Sequence, residues 1–257
     1  MINEPNSEKN TLIKTKNSLL VSENINILAL YRFFINYLKR QKVVAIFTLI
    51  IIPLAILFQS FFNGIRGFYD LKLGITFIAI GSAISIYVIV GFLLDLKMSV
   101  IYKRIGLLGI KPFGFILISL FYCLTLVIIT DLLVLITSLI ITASLKLNFA
   151  SVFSIITLLG FLLSIFSTIF VTCLILIFVV LVHSRSMQTL ISTIFSLIFV
   201  GGAFIMVVFI PMAFASSYAT VITSPLGLGI YFSIIGGLIL LSALSIWINL
   251  RIFKWDN

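Results

Sequence analysis

Asp131 is the residue with the clearest chemical potential, because it is the only charged residue inside any of the long apolar runs of this chain. An ionisable group within a membrane is costly and marks a functional site by default. The carboxyl group could line a polar cavity, accept a proton or pair with another subunit. The structural alternative is that Asp131 lies near the outer end of a tilted helix, about 27 Å from the cytoplasmic start of that helix. The carboxylate would then reach headgroup water, or Ser and Thr hydroxyls would cap it.

A second candidate is the basic segment 95–112, which separates two apolar runs. Its charged residues are Asp95, Lys97, Lys103, Arg104 and Lys111. Six residues of the segment lie at the i, i+3, i+4 spacing of a helix: Leu96, Ser99, Val100, Lys103, Arg104 and Leu107. Gly109 and Pro112 then supply a signal that ends the helix. This pattern predicts a short amphipathic helix at a membrane face, where a soluble partner could dock. The alternative is an ordinary cytoplasmic loop.

Motifs for enzymatic chemistry are missing from the sequence. It contains no Gly-x-x-x-x-Gly-Lys-Ser/Thr phosphate loop, no His-Glu-x-x-His and no Gly-x-Ser-x-Gly. The single histidine, His183, is interpreted as a headgroup contact. Cys123 and Cys173 have no metal-like spacing and are interpreted as apolar fillers. We therefore predict no catalytic residue, no metal and no cofactor, and no enzyme activity in this chain.

Composition places the chain in a membrane. Only 9% of its 257 residues are charged and 62% are hydrophobic, whereas soluble globular chains carry roughly 25% charged residues. Basic residues outnumber acidic residues by 17 to 7. We attribute this excess to loop charges that fix orientation in a membrane, and predict contacts with membrane lipids and no nucleic-acid partner.

Six apolar runs are long enough to cross a bilayer, which takes about 20 residues. They cover about 43–62, 73–94, 113–141, 149–182, 189–210 and 228–250. We predict that residues 1–20 form a disordered cytoplasmic tail and that residues 21–257 form a single transmembrane domain. Residues 21–42 predict an amphipathic helix lying in the membrane interface. Its apolar stripe comprises Ile27, Leu28, Tyr31, Phe34, Ile35 and Leu38.

The distribution of Lys and Arg predicts the orientation. Segments 1–42, 95–112, 183–188 and 251–257 together contain 14 of these residues, and the alternate loops contain 3. The positive-inside rule then places both termini and segment 95–112 in the cytoplasm. We expect a multi-pass protein of the plasma membrane.

In order along the chain, several features resemble the permease subunit of a type-2 ATP-binding-cassette (ABC) exporter. They are the amphipathic helix 24–42, a first span with a central proline (Ile-Ile-Ile-Pro-Leu, 50–54), the segment Ile-Tyr-Lys-Arg-Ile-Gly-Leu-Leu-Gly-Ile-Lys-Pro (101–112), Phe-Val-Gly-Gly-Ala-Phe (199–204) before Ile-Pro at 210–211, and the basic, aromatic ending Arg-Ile-Phe-Lys-Trp (251–255). The resemblance implies an all-α integral membrane protein with six transmembrane helices, an N-terminal amphipathic interfacial helix and a cytoplasmic coupling helix.

The same resemblance implies how such a chain works. Two copies, or this chain and a related permease, would face each other, and each would hold a separate ATPase subunit that binds the ATP. The coupling contacts implied are Asp95, Lys97, Tyr102, Lys103, Arg104 and Leu107. The cargo would be a lipid, peptide, drug-like molecule or glycan.

Two further classes of protein stay open at the level of sequence. One is an ion- or proton-coupled secondary transporter with Asp131 as its coupling site, although residues 43–141 and 149–250 show no convincing internal repeat of the kind such carriers have. The other is a membrane-embedded enzyme or assembly factor, for which no catalytic constellation is present.

Overall fold

The structure is a computed structural model. It describes residues 27–37, 39, 73–107, 110–144, 152–153, 155–195, 197–198 and 224–253. All regular secondary structure in these residues is helical. In chain order the helices are α1 (Ile27–Tyr37), α2 (Leu73–Met98), α3 (Val100–Leu107), α4 (Pro112–Ser144), α5 (Ile155–Leu181), α6 (185–195) and α7 (Pro225–Ile252). The predicted all-α class is confirmed for this part of the chain.

Three of these helices, α4, α5 and α7, are long and apolar enough to cross a membrane. The part Ser85–Met98 of α2 meets the same criterion when it is taken together with α3, as one bent span. This supports the predicted membrane character. The predicted span 43–62 and tail 1–20 lie outside the described residues, and the predicted span 189–210 is described only as far as residue 198. Six crossings therefore stay a prediction.

The starts of two helices differ from the starts of the predicted spans. Within the predicted run 149–182, residues Ile155–Leu181 form the 27-residue helix α5, and Val152 and Phe153 lie in a turn. At α7 the helix begins at Pro225, because Ser224 accepts a hydrogen bond from the Gly227 N–H and proline fits the first helical turn. Neither signal appears in a hydropathy window.

Helix α5 is the centre of the described bundle and packs against α2, α4 and α7. Its inner face repeats small residues every fourth position, and all of them are buried: Gly160, Ser164, Thr168 and Thr172. Small residues at this spacing let membrane helices approach closely. Thr168 donates its hydroxyl proton to the Ser164 carbonyl oxygen at 2.7 Å, which satisfies a polar group within the apolar bundle.

Helix α1 lies against α2 and α4 through an aromatic cluster. Phe34 is fully buried, with its ring centroid 5.0 Å from that of Phe92 and 5.5 Å from that of Tyr122. The predicted helix within 21–42 is thus helical over Ile27–Tyr37. Of the predicted stripe, Phe34 is buried and Leu28 is exposed, and Leu38 lies outside the described residues. The position of α1 at a membrane interface stays a prediction.

Hydrogen bonds between distant residues give the relative directions of the helices. Tyr231 near the start of α7 donates to the Leu159 carbonyl oxygen near the start of α5, and Asn249 near the end of α7 donates to the Cys173 carbonyl oxygen at 2.8 Å. Helices α5 and α7 therefore run in the same direction. Ser85 and Phe92 of α2 meet Thr130 and Tyr122 of α4, so α4 runs opposite to α2. Asp131 and Cys123 of α4 meet Ser164 and Thr172 of α5, so α4 also runs opposite to α5.

Candidate functional site

The basic segment folds into a corner at one end of the bundle. Helix α2 ends at Met98, and α3 leaves it at 74° after a break at Ser99. The Ser99 hydroxyl donates to the Leu96 carbonyl oxygen at 2.7 Å, and the Ser99 carbonyl accepts from the Tyr102 N–H at 3.2 Å. A serine that bonds the preceding turn and then begins the next helix provides a local cause for this break.

The inner face of α3 is anchored in the protein core. Tyr102 is 1% exposed. Its ring centroid lies 5.8 Å from that of Phe115 in α4 and 6.3 Å from that of Phe253, just after α7. The Lys97 ammonium lies 4.4 Å from the centre of the Tyr102 ring, a cation–π contact. Ile105 is also buried.

The outer face of α3 is basic and partly apolar. Lys103 and Arg104 are exposed, and Leu107 is 83% exposed. Asp95 is exposed near the end of α2, where its Oδ1 accepts a hydrogen bond of 2.7 Å from the Gln188 side chain of α6. This bond joins the corner to the helix that follows α5.

The structure thus divides the six residues that the sequence predicted as one set of coupling contacts. Three of them, Lys103, Arg104 and Leu107, share the outer surface. Lys97 and Tyr102 are buried and hold α3 against the bundle, and Asp95 is engaged with α6. Their contribution to partner contact stays a prediction.

Two residues of the corner, Gln188 and Phe253, were not singled out by the sequence analysis. Gln188 lies in a short polar segment with no distinctive spacing. Phe253 belongs to the basic, aromatic ending of the chain, and the sequence pattern there indicated the whole segment without distinguishing Phe253. Only the packing of distant helices brings Gln188 to Asp95 and Phe253 to Tyr102.

The second candidate site surrounds Asp131, which is 2% exposed and lies thirteen residues before the end of α4. The Ser164 hydroxyl of α5 donates to Asp131 Oδ2 at 2.6 Å. Oδ1 has no hydrogen-bond partner within the described part of the chain. At the preceding residue, the Thr130 and Ser85 hydroxyl oxygens lie 2.7 Å apart and link α4 to α2. Of the structural alternatives for Asp131, contact with a serine hydroxyl is observed, and the carboxyl is not at the end of its helix.

Other candidate chemistry is limited in the described residues. No group of three or more His, Cys, Asp or Glu side chains there could hold a metal ion. His183 is exposed, and its Nδ1 donates to the Leu181 carbonyl oxygen at 2.6 Å. Cys123 and Cys173 are buried free thiols, as expected of apolar fillers.

Comparison with known proteins adds no relative to these observations: no protein-family model, no curated protein and no solved structure matches this chain. The class that fold and sites define is a helical membrane protein with a basic corner at one end and a buried carboxyl group in its bundle.

Proposed function

We propose that this chain is the membrane-spanning permease subunit of an ABC-type exporter, and that a separate ATPase subunit docks on α3. The observation that carries the proposal is the corner itself. An eight-residue helix stands at 74° to α2, with Tyr102 and Ile105 fixed in the core and a basic surface turned outward. A soluble partner could push such a helix without first having to order it.

The exposed surface of α3 suits a protein partner. Lys103 and Arg104 would steer an acidic groove towards it, because complementary charge speeds and orients association. Leu107 would supply the apolar contact, since interface anchors are residues that become fully desolvated on binding. The proposed partner is therefore an ATPase with an acidic cleft and an apolar pocket.

Movement of α3 has a direct route into the bundle. The Tyr102 ring contacts Phe115 at the start of α4 and Phe253 at the end of α7. Asp95 carries a further connection to α6 through Gln188. ATP-driven displacement of α3 would therefore act on three helices together, and the ATP chemistry would remain in the partner subunit.

The proposal includes six crossings, with both termini in the cytoplasm of a plasma-membrane protein. The parallel directions of α5 and α7 support it, because the 43 residues from 182 to 224 must return from the end of α5 to the start of α7. One helix of about 27 residues, the length of α5, would span the distance between the two ends of the bundle. Pairing with a second copy or a related permease, and a lipid-like, peptide, drug-like or glycan cargo, complete the proposal.

The test is affinity co-purification of the full chain in mild detergent, comparing wild type with Lys103→Glu/Arg104→Glu. We expect a phosphate-loop ATPase to co-purify with wild type and to be lost from the double variant, because reversal of two exposed charges replaces attraction with repulsion. The readout is the ratio of ATPase to permease on a stained gel, with the ATPase identified by mass spectrometry.

The matched control is Arg185→Glu/Arg251→Glu, which makes the same change of charge at the same end of the bundle but outside α3. Arg185 and Arg251 are both exposed, so this variant should retain the ATPase. Loss from both variants would point to a general charge effect. Absence of any ATPase from correctly folded wild type would remove the exporter mechanism.

A second candidate function is an ion- or proton-coupled secondary transporter, favoured by the burial of Asp131 and its contact with Ser164. In that case Asp131→Asn abolishes transport driven by a pH gradient. Full gradient-driven transport by this variant would eliminate the carrier.

A further inference from the structure

Among the residues that the structure describes, none provides a positive charge near Asp131. Asp131 is the only Asp, Glu, Lys, Arg or His residue of α4, and α5 contains none. The weakly acidic Tyr122 and Cys123 of α4 and Cys173 of α5 lie eight or more residues along their helices from Asp131 and Ser164 respectively. On α2 the residue that faces this region is Ser85, whereas Asp95 and Lys97 lie ten or more residues further along. On α7 the only charge is Arg251, at its final turn. Within the described helices, every group that reaches the Asp131 region is therefore neutral.

The neighbouring hydroxyl groups do not substitute for a counter-ion. Ser164 donates one hydrogen bond to Asp131 Oδ2. Thr130 and Thr168 donate to backbone carbonyl oxygens of their own helices, so their protons are already used. An ionised carboxylate in apolar surroundings needs a paired cation or several donors, and a single donor leaves it strongly disfavoured.

We propose that Asp131 is a proton-binding site, and that its bound proton keeps the contact between α4 and α5 closed. The proton occupies Oδ1, and Oδ2 serves as the carbonyl oxygen that accepts from Ser164. A neutral carboxyl group packs between the two helices without a counter-ion. A proton also needs no cavity, in agreement with the 2% exposure of the side chain.

Loss of the proton would change the contact between the two helices. The resulting carboxylate requires further hydrogen-bond donors at Oδ1, and water is the available donor once the described hydroxyl protons are used. Separation of α4 and α5 near Ser164 would let water reach Oδ1. Ser164 contacts Asp131, and Thr168 is a further small buried residue one turn along the same face of α5, so little side-chain interlocking opposes separation.

The inference rests on the packing of Asp131. It requires neither ATP hydrolysis by a partner nor an ion or proton gradient. Its test therefore uses the purified full chain in lipid nanodiscs without any ATPase. Infrared spectra record the C=O stretch of protonated carboxyl groups from about pH 5 to about pH 9, a range over which the ionisation ratio of one group changes about tenfold per unit. We expect a carboxylic-acid band at neutral pH that fades as the pH rises and is absent in Asp131→Asn. Ser164→Ala should shift the band to higher frequency, because the carbonyl loses its hydrogen bond.

Asp95→Asn is the matched control, since Asp95 is an exposed carboxylate at the end of α2 and its removal should leave the band unchanged. If the wild-type band is absent at neutral pH, or persists in Asp131→Asn, the proton site is wrong. Asp131→Asn preserves side-chain size, and its elution in gel filtration checks that it is folded.

Closure of the helix contact is tested separately with Thr168→Cys in a chain whose Cys123 and Cys173 are replaced by Ala. Alkylation of the introduced thiol is followed against pH, with Asp131→Asn as the background that corrects for the ordinary rise in thiolate. We expect the alkylation rate with Asp131, divided by the rate with Asn at this position, to rise with pH by up to about 10-fold per pH unit. This is the change in the ionisation ratio of a group that loses one proton. Equal rises in both backgrounds would overturn the proposed link between the proton and helix separation.

Discussion

Phe34 shows how strongly one side chain can determine the position of a helix. Its ring is fully buried and contacts Phe92 of α2 and both Phe115 and Tyr122 of α4, with centroid distances between 5.0 and 6.4 Å. The Tyr31 and Thr125 hydroxyl oxygens, 2.9 Å apart, add one polar contact. Attachment of α1 to the bundle therefore depends mainly on aromatic packing.

Phe34→Ala should lower the free energy of unfolding by about 3–5 kcal/mol, the usual cost of truncating a buried aromatic side chain. The measurement is the thermal unfolding midpoint of the purified chain in detergent. Leu28→Ala is the matched control on the same helix, because Leu28 is exposed and its truncation should shift the midpoint little. Equal shifts in the two variants would contradict burial of Phe34.

At the scale of an element, α3 is held from the inside and exposed on the outside. The predicted coupling residues differ accordingly: Lys103, Arg104 and Leu107 are available for contact, whereas Tyr102 acts through the orientation of the helix. Tyr102 touches α4 and the end of α7 at once, so its loss should release α3 without changing the exposed basic surface.

Tyr102→Ala should therefore increase the mobility of a spin label placed at Leu107→Cys, in a chain whose native cysteines are replaced by Ala. The label site is solvent-accessible, since Leu107 is the most exposed of the large apolar residues described. Tyr102→Phe retains the aromatic ring and should keep the label as immobile as in the parent chain. An unchanged line width in Tyr102→Ala would mean that other contacts fix α3.

At the scale of the whole molecule, three segments that the sequence assigned to one side of the membrane meet at one end of the bundle. Asp95 and Gln188 are joined by a hydrogen bond, and Tyr102 contacts Phe253. These contacts bring together parts of the segments 95–112, 183–188 and 251–257. The grouping agrees with the distribution of Lys and Arg, and the cytoplasmic location of this end remains a prediction.

Single-cysteine labelling checks that location. Ser144, at the opposite end of α4, is exposed, so Ser144→Cys should react with a membrane-impermeant maleimide in intact cells. Arg185→Cys should react only after the cells are permeabilised, because Arg185 belongs to the end predicted to be cytoplasmic. The reverse pattern would invert the proposed topology and place α3 outside, beyond the reach of an ATPase.

The sequence by itself determined the helical membrane class and the presence of a short helix within 95–112. Hydropathy over about 20 residues and i, i+3, i+4 spacing are local properties, so they can be read without knowledge of the fold. The same local character explains the prediction of Asp131 as an isolated charge.

Only the tertiary structure decided which side chains meet. Asp131 is hydrogen-bonded to Ser164, 33 positions away in the sequence, and Asp95 to Gln188, 93 positions away. Lys97 and Tyr102 are buried, whereas Lys103 is exposed. Such contacts depend on how each helix is rotated and which helices become neighbours. Those are properties of the packed bundle, and an apolar run that is hydrophobic on all sides carries no local signal for them.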